Sequence, residues 1–146
     1  MKRSEIFSKL NSFINACNYK VCSFAYNLPN GDPLVCQMGF TFQDNKFILH
    51  TNTWTQKWNA LLDNHNVAIA IGFIHLEDYV QVQGYVTKIK TSESKFVQLE
   101  QVYFLEHPDA INYKHGDQEG IIIITPTRIR FANVTGHSVK FSDFDL

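Results

Sequence analysis

The chain has 146 residues, of which 45% are hydrophobic and 18% are charged, and its formal net charge is -1. These values exclude a disordered chain, which lacks the apolar residues for a core, and argue against a sequence-independent nucleic-acid-binding protein, which needs a basic face. No run approaches the roughly 20 apolar residues of a membrane span, and no apolar signal core follows the basic start MKR. We therefore expect a single cytoplasmic domain over residues 1–146.

The first third of the chain predicts one helix and three strands. Ser4 can cap a helix whose apolar positions follow at helical spacing: Ile6, Phe7, Leu10, Phe13, Ile14 and Cys17. Residues 20–26 predict a strand, and the turn LPNGDP follows it. Residues 34–42 alternate between apolar and other side chains and predict a second strand. After the turn QDNK, residues 47–51 predict a third.

The remaining two thirds of the chain also predict strands and helices. Residues 54–64 predict a helix that carries Trp58, Leu61 and Leu62, and residues 66–74 and 79–89 predict two strands. A helix that Ser92 can cap ends before Pro108, and a polar loop then extends to Glu119. Three further strands are predicted, at residues 120–126, 128–131 and 138–141. The pattern gives six or more strands joined mostly by hairpin-like turns.

This order of elements predicts a fold class. Strands do not alternate regularly with helices, as a doubly wound fold requires, and hairpin turns imply antiparallel pairing. We predict a mainly β fold, a small closed or nearly closed β-barrel with accessory helices.

Cysteine and histidine spacings predict no metal site. Cys17, Cys22 and Cys36 are odd in number and lack CxxC spacing, so we expect inert, buried thiols. The six histidines show neither HxH nor HExxH spacing.

Hydrogen-bonding side chains concentrate in the stretch HTNTWTQKW, residues 50–58, between a predicted strand and a predicted helix. The first N–H groups of a helix lack intrahelical partners and carry partial positive charge, which suits an anion. The hydroxyls of Thr51, Thr53 and Thr55 and the charge of Lys57 would suit a phosphate monoester. The alternative is that a threonine is only an N-cap and Lys57 only a solvated surface residue.

The same stretch resembles the phosphate-binding segment of the pyridoxamine 5'-phosphate oxidase-like, FMN-binding split-barrel family. There, a strand ending in Thr-Asn is followed by two residues, then Ser-Arg-Lys, then a helix; here Thr51-Asn52 precedes Thr55-Gln56-Lys57 at that spacing. The stretches NGDPLVCQMGF, LLDNHNVAIAIGF, LEDYVQVQG and TPTRIRF resemble other parts of the family. The resemblance covers most of residues 26–132 and implies a six-stranded antiparallel Greek-key split barrel of the FMN-binding type.

The resemblance also implies a cofactor site at the interface of a homodimer. The FMN phosphate would contact Thr55, Gln56 and Lys57, with His50, Thr51 and Asn52 at the end of the strand beside it. The flavin ring would lie along the strand that carries Val35, Cys36, Gln37 and Met38. Tyr79 stands where the oxidases have a glutamine that touches the cofactor.

Several positions depart from the family's oxidases. Gln56 replaces an arginine, and Val35 and Phe40 stand where the oxidases have arginine and lysine. The C-terminus HSVKFSDFDL lacks their arginine-rich segment, so we do not expect synthesis of pyridoxal phosphate.

Three functions remain open from the sequence. The first is an FMN-dependent oxidoreductase whose catalytic acid or base cannot be named. The second is a non-catalytic module that binds flavin or another phosphorylated ligand. The third is a dimeric protein that has lost the cofactor.

Overall fold

The computed structural model describes residues 1–72 and 74–146. Three α-helices and eight strands follow one another as α1 (Arg3–Ala16), β1 (Val21–Asn27), β2 (Pro33–Gly39), β3 (Thr41–Gln43), β4 (Lys46–Asn52), α2 (Gln56–Ala60), β5 (Asn66–Ile71), β6 (Tyr79–Lys90), α3 (Phe96–Glu106), β7 (Glu119–Thr135) and β8 (Ser138–Asp145). Two short 3-10 helices, Pro108–Tyr113 and Gly116–Gln118, lie between α3 and β7. The prediction of a mainly β chain with accessory helices is confirmed.

All eight strands belong to one sheet with the order β2-β1-β5-β6-β7-β4-β3, and β8 pairs with β7. Every pairing is antiparallel. β2 and β4 lie near opposite ends of this path and contact each other, so the sheet curls back on itself. The predicted antiparallel arrangement is therefore confirmed.

The predicted strand at residues 34–42 is two strands in the structure. The Phe40 N–H donates to the Lys20 carbonyl (2.9 Å), which ends the pairing of β2 with β1. The chain then changes partner, and β3 pairs with β4. The His107 ring, just after α3, bonds the Phe40 carbonyl (2.8 Å) and holds this junction. An alternating pattern cannot reveal such a change of partner because both strands keep the same two-residue period.

The two predicted strands around Pro126 are one strand of 17 residues, β7. Proline cannot donate to a ladder, which is why it favours bulges and edges. Here the register of β6 and β7 shifts between Gln83 and Gly84, and Gly84 lies opposite Pro126. Because Pro126 lies at this irregularity, it does not interrupt the strand.

Other boundaries also differ from the prediction. The N-cap of α1 is Lys2 and not Ser4, and the N-cap of α3 is Lys95 and not Ser92. The helix predicted over residues 54–64 is helical only over Gln56–Ala60, and turns follow it. The strand predicted over residues 66–74 is observed as Asn66–Ile71, and Phe73 lies outside the described residues.

The core has two parts on opposite faces of the sheet. The larger part lies inside the curled sheet, where Phe24, Leu49 and Phe131 meet the buried stripe of α1. The smaller part lies between α3 and the outer face of β4, β6 and β7, and comprises Ile48, Ile89, Phe96, Tyr103 and Ile121. No helix among residues 1–72 and 74–146 is long and apolar enough to cross a membrane.

Burial raises the pKa values of two core side chains, so the stability of the fold depends on pH in the alkaline range. Burial, with a smaller contribution from Cys36, raises the pKa of Cys22 from 9.0 to about 12. Burial, with a smaller contribution from Cys22, raises the pKa of Tyr103 from 10.0 to about 12. Between the ordinary and the raised pKa values the folded chain keeps protons that the unfolded chain has lost, so the free energy of unfolding falls as pH rises.

We expect stability to decline steadily from about pH 9 towards pH 12, the window set by these pKa values. Chemical denaturation at a series of pH values measures the slope. Tyr103→Phe should reduce that slope, whereas Tyr113→Phe, at an exposed tyrosine, should leave it unchanged. Equal slopes in wild type and Tyr103→Phe would contradict the assignment.

Candidate functional site

The turn between β4 and α2 is built around the hydroxyl of Thr55. This hydroxyl donates to the Asn52 carbonyl (2.9 Å) and accepts from the Trp58 N–H (3.4 Å), which makes Thr55 the N-cap of α2. The Thr51 hydroxyl lies 3.4 Å from it. The Thr55 hydroxyl already donates its proton to the Asn52 carbonyl, so this side chain stabilises the turn. Thr55 is therefore an N-cap, and its predicted contact with a phosphate stays a prediction.

Lys57 is the cation of this turn, and it lies beside β2. Burial raises the pKa of the Cys36 thiol, and the positive charge of Lys57 partly offsets that rise. Among the residues that the structure describes, no carboxylate pairs with Lys57. The backbone N–H groups of Gln56 and Lys57 likewise have no backbone acceptor in the described chain. Because a helix of five residues has only a small dipole, Lys57 itself supplies the charge for any anion.

The position of Lys57 is fixed by its neighbour Trp58. The Trp58 ring is buried against Gly120 of β7, where a Cβ atom would lie 2.5 Å from the ring. On the ring's face stands the Lys88 ammonium, 4.7 Å from the centroid, which also donates to the Trp58 carbonyl (3.4 Å). Gly120 therefore gives the ring room to pack, and α2 is held on the end of the sheet.

A buried polar cluster lies on the face of β4 that α3 covers. The His50 Nε2 lies 3.0 Å from Glu100 Oε2 on α3 and 3.5 Å from Glu119 Oε2 on β7. The Lys114 ammonium bonds the other oxygen of Glu100 (2.7 Å). Glu119 is 1% exposed; its Oε1 accepts from the His115 N–H, while its Oε2 has no hydrogen-bond partner among the described residues.

This cluster ties the segment between α3 and β7 to the β4–α2 turn. The Thr53 N–H donates to the Gln118 carbonyl (2.8 Å), and the Trp54 and His115 rings meet edge to face. Asn52 lies opposite Glu119 in the register of β4 and β7, and its buried Oδ1 has no partner in the described part of the chain. The segment before β7 therefore forms a defined wall on one side of the turn.

A profile of the family described as pyridoxamine 5'-phosphate oxidase matches residues 7–133. That match includes β2, the β4–α2 turn and the polar cluster. The chain belongs to this family. No curated protein matches the sequence.

Solved structures of the same fold include members of the family. A pyridoxamine 5'-phosphate oxidase-related, FMN binding protein from Nostoc punctiforme has a TM-score of 0.70 at 13% identity, covering 99% of this chain and 95% of that one. ChuZ from Campylobacter jejuni has a TM-score of 0.75 at 15% identity, covering 99% of this chain and 61% of that one. A heme binding protein from Mycobacterium smegmatis has a TM-score of 0.73 at 14% identity, covering 87% of this chain.

The chain spans 53% of the length of that heme binding protein. At these identities the likeness concerns the fold, and it confirms the predicted split barrel.

Most of the family-implied residues of β2 and the β4–α2 turn lie on neighbouring elements. Val35 and Gln37 point out of the sheet and are exposed, whereas Cys36 and Met38 point into the core. β2 stands at the end of the sheet path, so one edge of its backbone has no strand partner in the described sheet. That edge is available to hydrogen-bond a planar ligand.

Tyr79 lies apart from these residues. Gln37, Ser23, Ala70 and Gln81 occupy one row across β2, β1, β5 and β6. Three strand spacings separate the ends of that row, about 14 Å in total, and Tyr79 lies two residues beyond Gln81. Tyr79 is therefore separated from Gln37 of β2 by more than the width of three strand spacings.

His50 lies beneath α3, where its Nε2 faces Glu100 and its side chain is 9% exposed. Its role as a cofactor contact stays a prediction. The sequence reading missed Glu100, Lys114 and Glu119 altogether. One signal was present: Glu100 follows Phe96 by four residues and precedes Tyr103 by three, so it stands on the buried stripe of its helix.

Proposed function

We propose that the chain is an FMN-binding flavoprotein and that it acts as an FMN-dependent oxidoreductase. One observation carries the proposal: within a chain of this family, β4, which leads into the turn carrying Lys57, meets β2, the strand expected to follow the flavin ring, and the charge of Lys57 acts on Cys36 of that strand. Bound FMN supplies the redox chemistry. The chain's own part would be to bind the phosphate, orient the ring and exclude water from one of its faces.

The donor groups fit a phosphate monoester. Lys57 has no carboxylate partner among the described residues, and the N–H groups of Gln56 and Lys57 are free of backbone acceptors there. The exposed Gln56 side chain adds an amide donor where the family's oxidases have an arginine. We propose that the phosphate binds at Gln56 and Lys57, with Thr51, Asn52 and Thr55 shaping the turn, and that the ring lies along residues 35–38.

A homodimer would complete this site, because Tyr79 would then come from the second copy. The outer face of β1, β2, β5 and β6 offers a surface for it. Small, half-exposed side chains of Ser23, Ala25, Ala68 and Ala70 line its middle, and the exposed Val35 lies at its edge. Flat faces of small and apolar side chains are typical of subunit interfaces.

A heme ligand is the competing reading, because one structural neighbour is a heme binding protein. The FMN reading is preferred for two reasons. The FMN binding neighbour matches this chain over 95% of its own length, against 53% for the heme binding one. The free cation and N–H donors also suit a phosphate.

A non-catalytic flavin-binding module shares every feature above and differs only in turnover. The cytoplasmic location and the single domain stay predictions.

The purified protein tests both parts of the proposal. We expect a visible flavin absorbance spectrum, as isolated or after FMN is added and the excess removed, and a dimer mass by light scattering. An oxidoreductase should also consume NADH or NADPH faster than free FMN does. Binding without turnover would support the non-catalytic module. A monomer that retains no FMN would overturn the proposal.

A further inference from the structure

A cavity lies away from the β4–α2 turn. It is a groove of about 640 Å³ between the C-terminal end of α1, residues between Ile74 and Asp78, and the end of β7. This volume falls within the range of about 300–1,000 Å³ for small-molecule sites. None of the residues assigned above to FMN lines the groove. The apolar part of its wall includes Phe13, Tyr19, Ile71, Ile74, Leu76 and Val134.

Exposed apolar side chains gather at the rim of this groove. Tyr19 is 81% exposed, Ile74 66% and Leu76 70%. A single exposed apolar residue needs no explanation, but a contiguous patch around a concavity is typical of a binding site. The groove therefore offers an apolar body of ligand both a floor and a rim.

The charged side chains that line the groove are all acidic. Glu77 and Asp78 are both carboxylates, and no lysine, arginine or histidine lines the wall in the described part of the chain. The last turn of α1 also points its carbonyl groups towards this end, the negative end of the helix dipole. Lys20, the nearby cation, is held on two of them, the carbonyls of Ile14 (2.6 Å) and Cys17 (3.0 Å). The two carboxylates of the wall favour a cation there, while the Lys20 charge acts on Cys17 at the α1 end of the groove.

The wall that carries these carboxylates is pinned in place. Asp78 accepts from the Val134 N–H (2.7 Å) and the Asn133 side chain (3.2 Å), which fixes the segment to β7. Gly72 has a φ of +102, and a Cβ there would lie 2.9 Å from the Asp78 carbonyl. Glu77 remains exposed and forms no ion pair among the described residues. The groove thus combines a fixed acidic wall with one carboxylate free to meet a ligand.

We propose that this groove binds a small apolar organic cation, such as a primary amine attached to an aromatic or aliphatic body. The body would pack on Phe13, Ile71 and Val134, and the ammonium would face Glu77. Anions, FMN included, would be repelled. The groove shares no lining residue with the proposed flavin site, although Gly72 and Asp78 adjoin Tyr79. The proposal does not rest on flavin binding.

A pair of probes that share a ring and differ in charge tests the proposal. We expect phenethylamine to cause saturable shifts of the backbone NMR signals of Cys17, Ile71 and Val134, and 3-phenylpropionate to bind at least about fivefold more weakly. Glu77→Gln should weaken phenethylamine binding by about twofold to fivefold, the worth of one exposed charge pair. Glu106→Gln, at an exposed carboxylate on α3 outside the groove, should leave the affinity unchanged.

Three results would overturn the proposal. Equal affinity for the two probes would remove the role of the carboxylates. Saturation without shifts at the groove would place the amine elsewhere. Shifts of the groove signals on dilution of the protein alone would show that a second copy, not a small molecule, occupies the surface. Repeating the titration with Lys57→Ala protein separates this test from the flavin proposal, because the groove should bind phenethylamine equally well there.

Discussion

Lys57→Ala should weaken FMN binding by about 1.5–3 kcal/mol, the usual worth of a hydrogen bond to a charged group. That loss equals roughly one to two decades in dissociation constant. The reason is geometric as well as electrostatic, because Lys57 has no carboxylate partner in the described chain and is held in place by the buried Trp58 beside it. Fluorescence titration of the apoprotein with FMN measures the change.

Riboflavin provides the control because it lacks the phosphate. Its affinity should barely respond to Lys57→Ala, whereas a general loss of fold would weaken both ligands alike. Lys46→Ala, at an exposed lysine at the start of β4, is the matched protein control and should change neither affinity. Gln56→Arg should tighten FMN more than riboflavin, since it restores the charge that the family's oxidases carry. Equal losses for the two ligands in Lys57→Ala would show that the turn binds no phosphate.

Thr55→Ala should behave differently from Lys57→Ala. The Thr55 hydroxyl caps α2 and bonds the Asn52 carbonyl, so its loss should lower the free energy of unfolding by about 1 kcal/mol. FMN and riboflavin binding should then weaken to a similar extent. This contrast separates a residue that shapes the turn from one that contacts the ligand.

Gly84→Ala should strongly destabilise the sheet. A Cβ at Gly84 would lie 2.5 Å from the Thr125 carbonyl oxygen and 2.9 Å from the Ile124 Cγ2. The nearest atom is backbone in the paired strand, so no side-chain rotation can relieve the clash. We expect a loss of about 3 kcal/mol, at the upper end of overpacking effects, and a fall in Tm of about 6–12 °C.

Gly136→Ala is the control for this experiment. Gly136 has a φ of +58, and an added Cβ would meet nothing within 4 Å. Its substitution should cost only the strain of the left-handed backbone, about 1–2 kcal/mol. Thermal unfolding of both variants measures the difference. A Gly84→Ala protein as stable as the Gly136→Ala protein would show that β6 and β7 can separate at the irregularity opposite Pro126.

Local patterning predicted most elements and their type. Strands such as β1 and β6 were predictable because one face is buried and the other exposed, which leaves a two-residue period. The turn chemistry of Asn30-Gly31 likewise predicted the β1–β2 hairpin. What failed were boundaries: a change of strand partner at Phe40 and a proline absorbed at the β6–β7 irregularity leave no periodic signal.

Part of the candidate site could likewise be predicted from the sequence, and part could not. Lys57 and the threonines of HTNTWTQKW could be found in the sequence because their spacing is local and resembles that of a known family. The proximity of Lys57 to Cys36 could not, because it depends on β2 and β4 meeting at the ends of the sheet path. The separation of Tyr79 from both follows from the register of three strand pairs.

The sequence by itself determined the fold class, the family and the charged turn, because these follow from hydrophobic periodicity and from motifs a few residues long. Only the tertiary structure decided the surroundings of each polar group. It placed His50 against Glu100 and Glu119 beneath α3 and gathered Glu77 and Asp78 beside the end of α1. The physical reason is that burial and electrostatic interaction depend on distance in space, and residues 50 and 100 meet only after the strands and helices have packed.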